Sequence, residues 1–441
     1  MKEKTKKTPK TQVYNLHNVP LFTYLFTRQL KTLSFFYFLH LYHVNKYKLF
    51  FNIKKSVKIK MRANIEENME DFKIIAFLRG VVKQGVSDVH LRVDEHPIVR
   101  KDGKILKISN IKKLTEEDLT KALSELLPQI LRNRADQVYD LDFAYEIKGV
   151  SRFRVNMSRQ LGKLALVIRM IPYEIPKVKD LMLPTSIEQF SSLNNGIVLV
   201  TGPTGSGKST TIAALIEHIN STYQKHIITI EDPIEFIYTN KKCVISQRQI
   251  EIDTASFPDG VKYALRQDPD VILIGEIRDK ETMSAALKAA ETGHLVYATM
   301  HTNDAIQTVN RIVNIYEPSD REFIRKQLSE TLRGTIAQKL LPRKNTPGRI
   351  PACEVLVVTP TVKDFIAKDK LEDVYDLVRK GSFNDMLTMN MSIYELCLRG
   401  FISEETALNV SDNKNELKQM LRGAYHGAGS PAAKLKEEIG G

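Results

Sequence analysis

The stretch that decides the fold is "GPTGSGKSTT", Gly202–Thr211, which follows the apolar run "IVLV", Ile197–Val200, and one threonine. It fits the pattern G-x-x-x-x-G-K-[ST], in which a glycine-rich loop between a strand and a helix cradles phosphates with its backbone N–H groups. The apolar run is typical of a parallel strand buried on both faces, and "STTIAALIEHI" has apolar residues at helical spacing. We therefore predict a phosphate-binding loop at the N-terminus of a helix.

The positions of this loop have distinct expected roles. Lys208 should reach the β- and γ-phosphates of a nucleotide, and the Ser209 hydroxyl should bind Mg²⁺. A glycine-rich turn that matches the pattern by chance is the alternative, but the flanking strand and helix disfavour it. ATP and Mg²⁺ are therefore the expected cofactors. The candidate nucleotide-binding residues are Gly202, Pro203, Thr204, Gly205, Ser206, Gly207, Lys208, Ser209 and Thr210.

Composition excludes some classes of protein. The chain has 441 residues, enough for two or three domains. Its three scattered cysteines suggest neither a disulfide framework nor a cysteine-rich zinc site, which favours a reducing, cytoplasmic setting. The formal net charge of +13 lies almost wholly in residues 1–60, which hold 13 Lys and Arg and one acid. Because the rest of the chain is nearly neutral, its net charge does not imply a nucleic-acid groove.

Residues 1–60 are basic and rich in Phe and Tyr, as in "FFYFLHLYH". Their longest apolar run is too short and too polar to span a bilayer, and no cleavage site of a signal peptide follows it. We expect a non-native or disordered extension, translated from a start codon chosen upstream of Met61. A segment lying on an anionic membrane surface is the alternative.

Residues 62–170 predict a small α+β domain. "IVRKDGKILKI" indicates a hairpin, and "LTEEDLTKALSELL" a helix that Thr115 caps. In "SRFRVNM", Phe153, Val155 and Met157 alternate with polar residues, as in a half-buried strand. Residues 171–180, with two prolines, suit a hinge-like linker.

From residue 181 to 423, apolar strands alternate with helices, which predicts a parallel sheet with helices on its faces. The strands are "IVLV", "IITI", "VILI", "LVYATM" and "EVLVV". Such sheets place their sites at the carboxyl ends of the strands, and acids follow two of them. An NTPase needs carboxylates to hold Mg²⁺ and to activate water. The candidates are Glu231, Asp232 and Glu235 after "IITI" and Glu276 after "VILI", with Asp232 assigned to Mg²⁺. His301, after "LVYATM", is a further catalytic candidate.

Five motifs in order resemble the ATPases of type II secretion and type IV pili. They are "GPTGSGKSTT", "TIEDPIE", "ALRQDPDVILIGEIRD", "ETGHLVYATMHTND" and "LRGTIAQKLLPR". The resemblance covers residues 65–423. It implies a PAS-like α+β domain joined by a short linker to a RecA-like P-loop ATPase domain with C-terminal helices. Glu276 takes the place of the catalytic carboxylate of that family.

The resemblance also implies a homo-hexamer in which arginines of the small domain complete a neighbour's nucleotide site. Arg152, Arg154 and Arg169 are the candidates, with ordinary surface arginines as the alternative. The expected partners are an inner-membrane pilus platform protein and other pilus ATPases, and no nucleic acid is expected. The expected location is cytoplasmic, peripheral at the inner membrane. Residues 424–441 are expected to be a disordered tail.

Within the family, "GVSDVHLRV" and "RFRVN" resemble the pilus-retraction branch, which drives twitching motility. The assembly ATPases generally carry a tetracysteine zinc insertion, for which this chain lacks the cysteines. Since the C-terminal part of the retraction pattern is only partly kept, pilus extension or type II secretion stays an alternative. A RecA-like nucleic-acid translocase is the second alternative.

Overall fold

The computed structural model describes residues 72–101, 103–135, 137–172, 174–380 and 386–423. All of them belong to one compact unit, Asp71–Gly441. The predicted extension 1–60 and the predicted tail 424–441 lie outside the described residues. No helix in the described part of the chain is long and apolar enough to cross a membrane.

The first sheet has six antiparallel strands, and helices pack on one of its faces. Its strands follow the order β3-β2-β1-β6-β5-β4. Its core holds the fully buried side chains of Leu78, Phe143 and Phe153. The elements are α1 (Ile74–Lys83), β1 (Asp88–Arg92), β2 (Ile98–Lys101), β3 (Lys104–Lys107), α2 (Glu116–Leu126), α3 (Arg132–Ala135), β4 (Leu141–Ile147), β5 (Ser151–Gln160) and β6 (Lys163–Ile171).

Two local predictions for this sheet and its helices are confirmed. Thr115 caps α2 through a capping box, since its side chain accepts from Asp118 N while the Asp118 side chain accepts from Thr115 N. Along β5, Phe153, Val155 and Met157 are buried, and the arginines between them lie on the opposite face of the sheet. From that face Arg152 and Arg154 contact Ile234 and Glu235, which follow in the next part of the chain.

The second sheet has seven strands in the order β13-β12-β7-β11-β10-β8-β9. Its neighbouring strands run parallel except for β12 and β13. The elements are β7 (Gly196–Thr201), α4 (Lys208–Thr222), β8 (His226–Glu231), β9 (Val244–Gln249), α5 (Phe257–Ala264), β10 (Val271–Ile274), α6 (Lys280–Glu291), β11 (Leu295–Met300), α7 (Ala305–Asn314), α8 (Arg321–Thr331), β12 (Leu332–Pro342) and β13 (Arg349–Val357).

The central strands are buried on both faces, as their apolar sequences predicted. Every residue of β7, β10 and β11 is buried. Along β7, Ile197 and Leu199 pack into the core formed with α5 to α8, whereas Val198 and Val200 pack into the core formed with α4. This two-sided burial fixes the four central strands side by side, with their carboxyl ends at one edge.

The last predicted strand, "EVLVV", differs from the expectation of a parallel sheet. Its first four residues form the end of β13, which pairs antiparallel with β12. Only six residues, 343–348, separate the two strands, and a connection that short can join only antiparallel neighbours. Helices α9 (Pro360–Ala367), α10 (Leu371–Lys380), α11 (Met389–Leu398), α12 (Glu404–Val410) and α13 (Lys414–Leu421) follow. Of these, α11 to α13 pack on β12 and β13.

The segment 171–180 connects the two sheets. Ile171 and Val178 are buried in the core that also holds Phe190 and the face of α4. Both ends of the segment are therefore anchored in the core between the second sheet and α4. The domain boundaries and the hinge remain predictions.

Candidate active site

The phosphate loop joins the end of β7 to the start of α4. Gly207 has a φ of 93° and caps α4, and Gly202 has a φ of 139°. Glycine is needed at both positions, because positive φ angles in this range strain other residues. Ser206 and Lys208 are buried, whereas Pro203, Thr204, Gly205 and Ser209 are exposed and Thr210 is half-buried.

Lys208 lies within this loop rather than out in solvent. Its Nζ donates to Gly202 O at 2.8 Å and to Pro203 O at 3.2 Å. Burial lowers the pKa of Lys208, while the negative charges of Glu276 and Glu235 oppose that effect. The loop thus carries a cation that two acids from other strand ends approach.

The loop has the donors that a phosphate requires. The buried Ser206 Oγ has no hydrogen-bond partner in the structure. Such an orphan is costly unless a ligand or water completes it. Together with the Lys208 ammonium and the N-terminus of α4, it makes a site suited to an anion. These groups fit the phosphates of a nucleotide.

The acids at the end of β8 differ in exposure, and Glu231 has no cation among its hydrogen-bond partners. Glu231 accepts from Thr229 Oγ1 at 2.7 Å and from Gln247 Nε2 at 3.3 Å. Although part of the side chain is exposed, burial of the carboxyl group outweighs these hydrogen bonds and raises its pKa to about 7. Burial also raises the pKa of Asp232, with Glu251 adding to the effect. Glu235 is half-buried.

The acid after β10 has the opposite surroundings. Arg278 Nη2 donates to Glu276 Oε2 at 2.6 Å, and His301 Nε2 lies 3.1 Å from Glu276 Oε1. Burial alone would raise the pKa of Glu276, but Arg278, His301 and Lys208 outweigh it and lower that pKa. The pKa of His301 is lowered by burial and by the charge of Lys208. At neutral pH, the site therefore pairs an ionised Glu276 with a neutral His301.

The strand order explains this meeting of distant residues. The phosphate loop, His301 and Glu276 follow β7, β11 and β10, and Glu231 is the last residue of β8. These four strands are consecutive neighbours in the sheet. The arrangement places a phosphate cradle beside an ionised carboxylate that can accept a proton from water. Among the described residues, no group of three or more His, Cys, Asp or Glu could hold a metal by itself.

The three candidate arginines lie in different places. Arg152 Nε donates to Ile234 O at 2.9 Å, and Arg154 Nη1 lies 3.8 Å from Glu235 Oε1, so both contact the segment after β8 of their own chain. Arg169 lies beside Asp88, with 2.9 Å between Arg169 Nε and Asp88 Oδ1. These contacts are within one chain, and a role toward a neighbour remains a prediction.

One residue at the site escaped the reasoning from sequence. Gln338, in β12, hydrogen-bonds both flanks of the phosphate loop. The motif "LRGTIAQKLLPR" contains it, and that membership was the available signal in the sequence.

Comparison with known proteins adds relatives over most of the chain. The model of the family "Type II/IV secretion system protein" matches residues 71–391. The type IV pilus retraction ATPase PilT of Pseudomonas aeruginosa is 39% identical over 339 residues, which cover 77% of this chain and 97% of PilT. A twitching motility protein of Neisseria gonorrhoeae is 39% identical over 321 residues, covering 73% of this chain and 86% of that protein.

Solved structures agree with these relatives. The crystal structure of the pilus retraction motor PilT with bound ADP matches with a TM-score of 0.73 and 42% identity, covering 79% of this chain and 100% of that one. The ATPase DotB of Legionella pneumophila matches with a TM-score of 0.67 and 31% identity, covering 78% and 98%.

Proposed function

Because this chain belongs to the type II/IV secretion system protein family, we propose that it is the ATP-hydrolysing motor that retracts a type IV pilus. The single observation that carries the proposal is the 39% identity across 97% of a pilus retraction ATPase. The chain also brings a phosphate loop, an ionised carboxylate and a neutral histidine to one sheet edge.

The phosphate loop binds ATP in this mechanism. The backbone of Gly202–Thr210 and the Lys208 ammonium hold the β- and γ-phosphates. The orphaned Ser206 hydroxyl and the solved relative that contains ADP support this assignment. Ser209 and Asp232 would hold Mg²⁺, which neutralises charge on the phosphates when bound.

Glu276 activates the attacking water. Since its pKa is lowered, it is ionised at neutral pH and can accept a proton. His301 holds one carboxylate oxygen and Arg278 the other, which orients Glu276 at the end of β10. Glu235 also approaches Lys208, whereas Glu231 contacts Thr229 and Gln247, and both acids take supporting roles at the segment after β8.

The working motor is a homo-hexamer. In this proposal Arg152, Arg154 or Arg169 of one subunit stabilises the charge that develops at the nucleotide of the next. The exposure of two of them supports availability to a second subunit, since Arg169 keeps 60% of its side-chain area and Arg154 36%, whereas Arg152 keeps 14%. Turnover would then depend on assembly and would drive relative motion of the small domain and the ATPase domain.

The motor acts from the cytoplasm at the inner membrane, where its partner is the pilus platform protein, with other pilus ATPases as further partners. Pilus extension or type II secretion is the alternative. The match to a retraction ATPase covers 97% of that protein, which favours retraction. A nucleic-acid translocase is the second alternative, and it predicts that DNA or RNA stimulates ATP hydrolysis.

Deletion of the gene in its own host tests the proposal. We expect cells that keep surface pili but lose twitching, and recovery with the wild-type chain but not with Lys208→Ala. Cells without pili would instead assign the chain to extension. Normal twitching together with DNA-stimulated ATPase activity would contradict the motor function.

A further inference from the structure

Gln338 is buried at the point where β12 passes the phosphate loop. Its side-chain Nε2 donates to Ser206 O at 2.7 Å, and its Oε1 accepts from Thr211 Oγ1 at 2.7 Å. Gln338 and Ser206 are each 3% exposed, and Thr211 is 1% exposed. One amide therefore joins the loop proper to the first turn of α4, from a strand more than 120 residues away in sequence.

The loop and Gln338 fit closely on two sides. A Cβ on Gly202 would come within 2.3 Å of Gln338 O, and a Cβ on Gly207 within 2.7 Å of Gln338 Nε2. Real Cβ atoms are not found at such distances, so both glycines are needed for this approach. The backbone and the side chain of one residue thus contact both fixed glycines of the loop.

The hydrogen bond to Ser206 O has a direct consequence for phosphate binding. The peptide between Ser206 and Gly207 is trans and planar, so its C=O and N–H point in opposite directions. Since Gln338 holds the carbonyl, it also fixes the direction of the Gly207 N–H. A phosphate loop works by presenting such N–H groups in a set arrangement before the anion arrives.

We propose that Gln338 is a positioning residue that holds the phosphate loop ready for nucleotide, through Ser206 on one flank and Thr211 on the other. It touches the loop and not the substrate. The inference rests on the proposed ATP-binding role of Gly202–Thr210. It predicts that loss of Gln338 weakens nucleotide binding rather than slowing the chemical step.

The test compares substitutions in the full chain by calorimetric titration with ADP, steady-state ATPase kinetics and thermal unfolding. Gln338→Met keeps the volume and removes both hydrogen bonds. Thr335→Val is the matched control, since Thr335 Oγ1 lies buried in the same strand without a partner. Thr211→Val and Thr211→Ser form a second pair, in which only serine keeps the hydroxyl.

We expect Gln338→Met to weaken ADP binding and raise KM for ATP by about tenfold or more, because each buried hydrogen bond contributes roughly a factor of five to ten. The kcat should change less than KM, and the rise in Tm on adding ADP should shrink. Thr335→Val should leave Kd within about twofold. Thr211→Val should weaken binding more than Thr211→Ser.

Unchanged ADP affinity in Gln338→Met, with or without a lower Tm, would overturn the inference and leave the proposed function intact. If Gln338→Met fails to fold, equal affinities of Thr211→Val and Thr211→Ser would overturn it in the same way. Lys208→Ala separates the two questions. If the wild-type chain binds ADP no better than Lys208→Ala, the proposed nucleotide site fails and the inference with it.

Discussion

Glu231 and Glu276 are the same residue type at the ends of neighbouring strands, yet their surroundings drive their protonation in opposite directions. The direct partners of Glu231 are the neutral Thr229 and Gln247, and burial raises its pKa to about 7. Glu276 is also partly buried, but Arg278, His301 and Lys208 lower its pKa. A strand end therefore supplies the carboxylate, and its neighbours decide which state it has at neutral pH.

The opposite pKa shifts indicate different roles for the two acids. A carboxylate that accepts a proton from water must be ionised at the working pH, which Glu276 satisfies. Glu231 titrates near neutrality and contacts Gln247 rather than a cation, which suits a structural part of the segment after β8.

Replacement of Lys208 should remove the phosphate-binding cation and one of the charges that keep Glu276 ionised. Lys208 contacts the loop carbonyls and approaches Glu276 and Glu235, so Lys208→Ala should abolish ATP binding and lower hydrolysis on the order of 10³-fold or more. ATPase assays and nucleotide titration measure this. Lys288→Ala, at an exposed position of α6, is the control and should behave as wild type. Equal activity of the two variants would exclude the loop as the site.

Replacement of Arg152 tests the contribution of the arginine that lies near Glu231. Arg152 holds Ile234 O and approaches Glu231, so Arg152→Ala should lower turnover about tenfold to a hundredfold without loss of ATP binding. Arg159→Ala, exposed in the same strand, is the control. The ATPase rate per subunit should also rise with protein concentration for the wild type. Equal effects of the two substitutions would contradict a role of Arg152 in turnover. A rate independent of concentration would contradict a nucleotide site that a neighbouring subunit completes.

The pH profile of kcat separates the two acids. If Glu276 is the base, it is ionised throughout pH 6 to 8, and kcat should vary less than about threefold. If Glu231 were the base, its ionised fraction would rise from about a tenth to about nine tenths across that range, and kcat would rise about tenfold. A tenfold rise that Glu231→Gln abolishes would reverse our assignment.

Glu354 links the stability of the fold to pH. Glu354 is buried in β13 and accepts from Ala305 N at 2.9 Å, at the start of the helix after the His301 loop. Burial raises its pKa to about 7, so the folded state binds its proton more tightly than the unfolded state. Its contribution is present below the unfolded pKa and is lost as pH rises through 7.

Glu354→Gln keeps the acceptor for Ala305 N and removes the charge. Relative to wild type, the free energy of unfolding should gain up to about 3 kcal/mol at pH 8 and little at pH 5. Urea unfolding at the two pH values measures this, with the exposed Glu372→Gln as control. A gain of equal size at both pH values would contradict the titration of Glu354.

The sequence predicted what depends on local rules. The phosphate loop, the capped helix after Thr115 and the acids at the ends of β8 and β10 all follow from spacing along the chain. Gln338 and Glu354 could not be assigned in this way, because their partners lie far away along the chain and only the strand order brings them near. The raised pKa of Glu231 was equally out of reach, since it depends on burial in the folded chain.

The most direct test of the account is the fate of bound ATP in two matched variants, Glu276→Gln and Glu231→Gln. Each is incubated with ATP and Mg²⁺, and both the bound nucleotide and the rate of phosphate release are measured. We predict that Glu276→Gln retains ATP unhydrolysed and loses turnover on the order of 10³-fold, while Glu231→Gln hydrolyses ATP within about tenfold of wild type. ATP trapped by Glu231→Gln, with normal turnover in Glu276→Gln, would contradict the account.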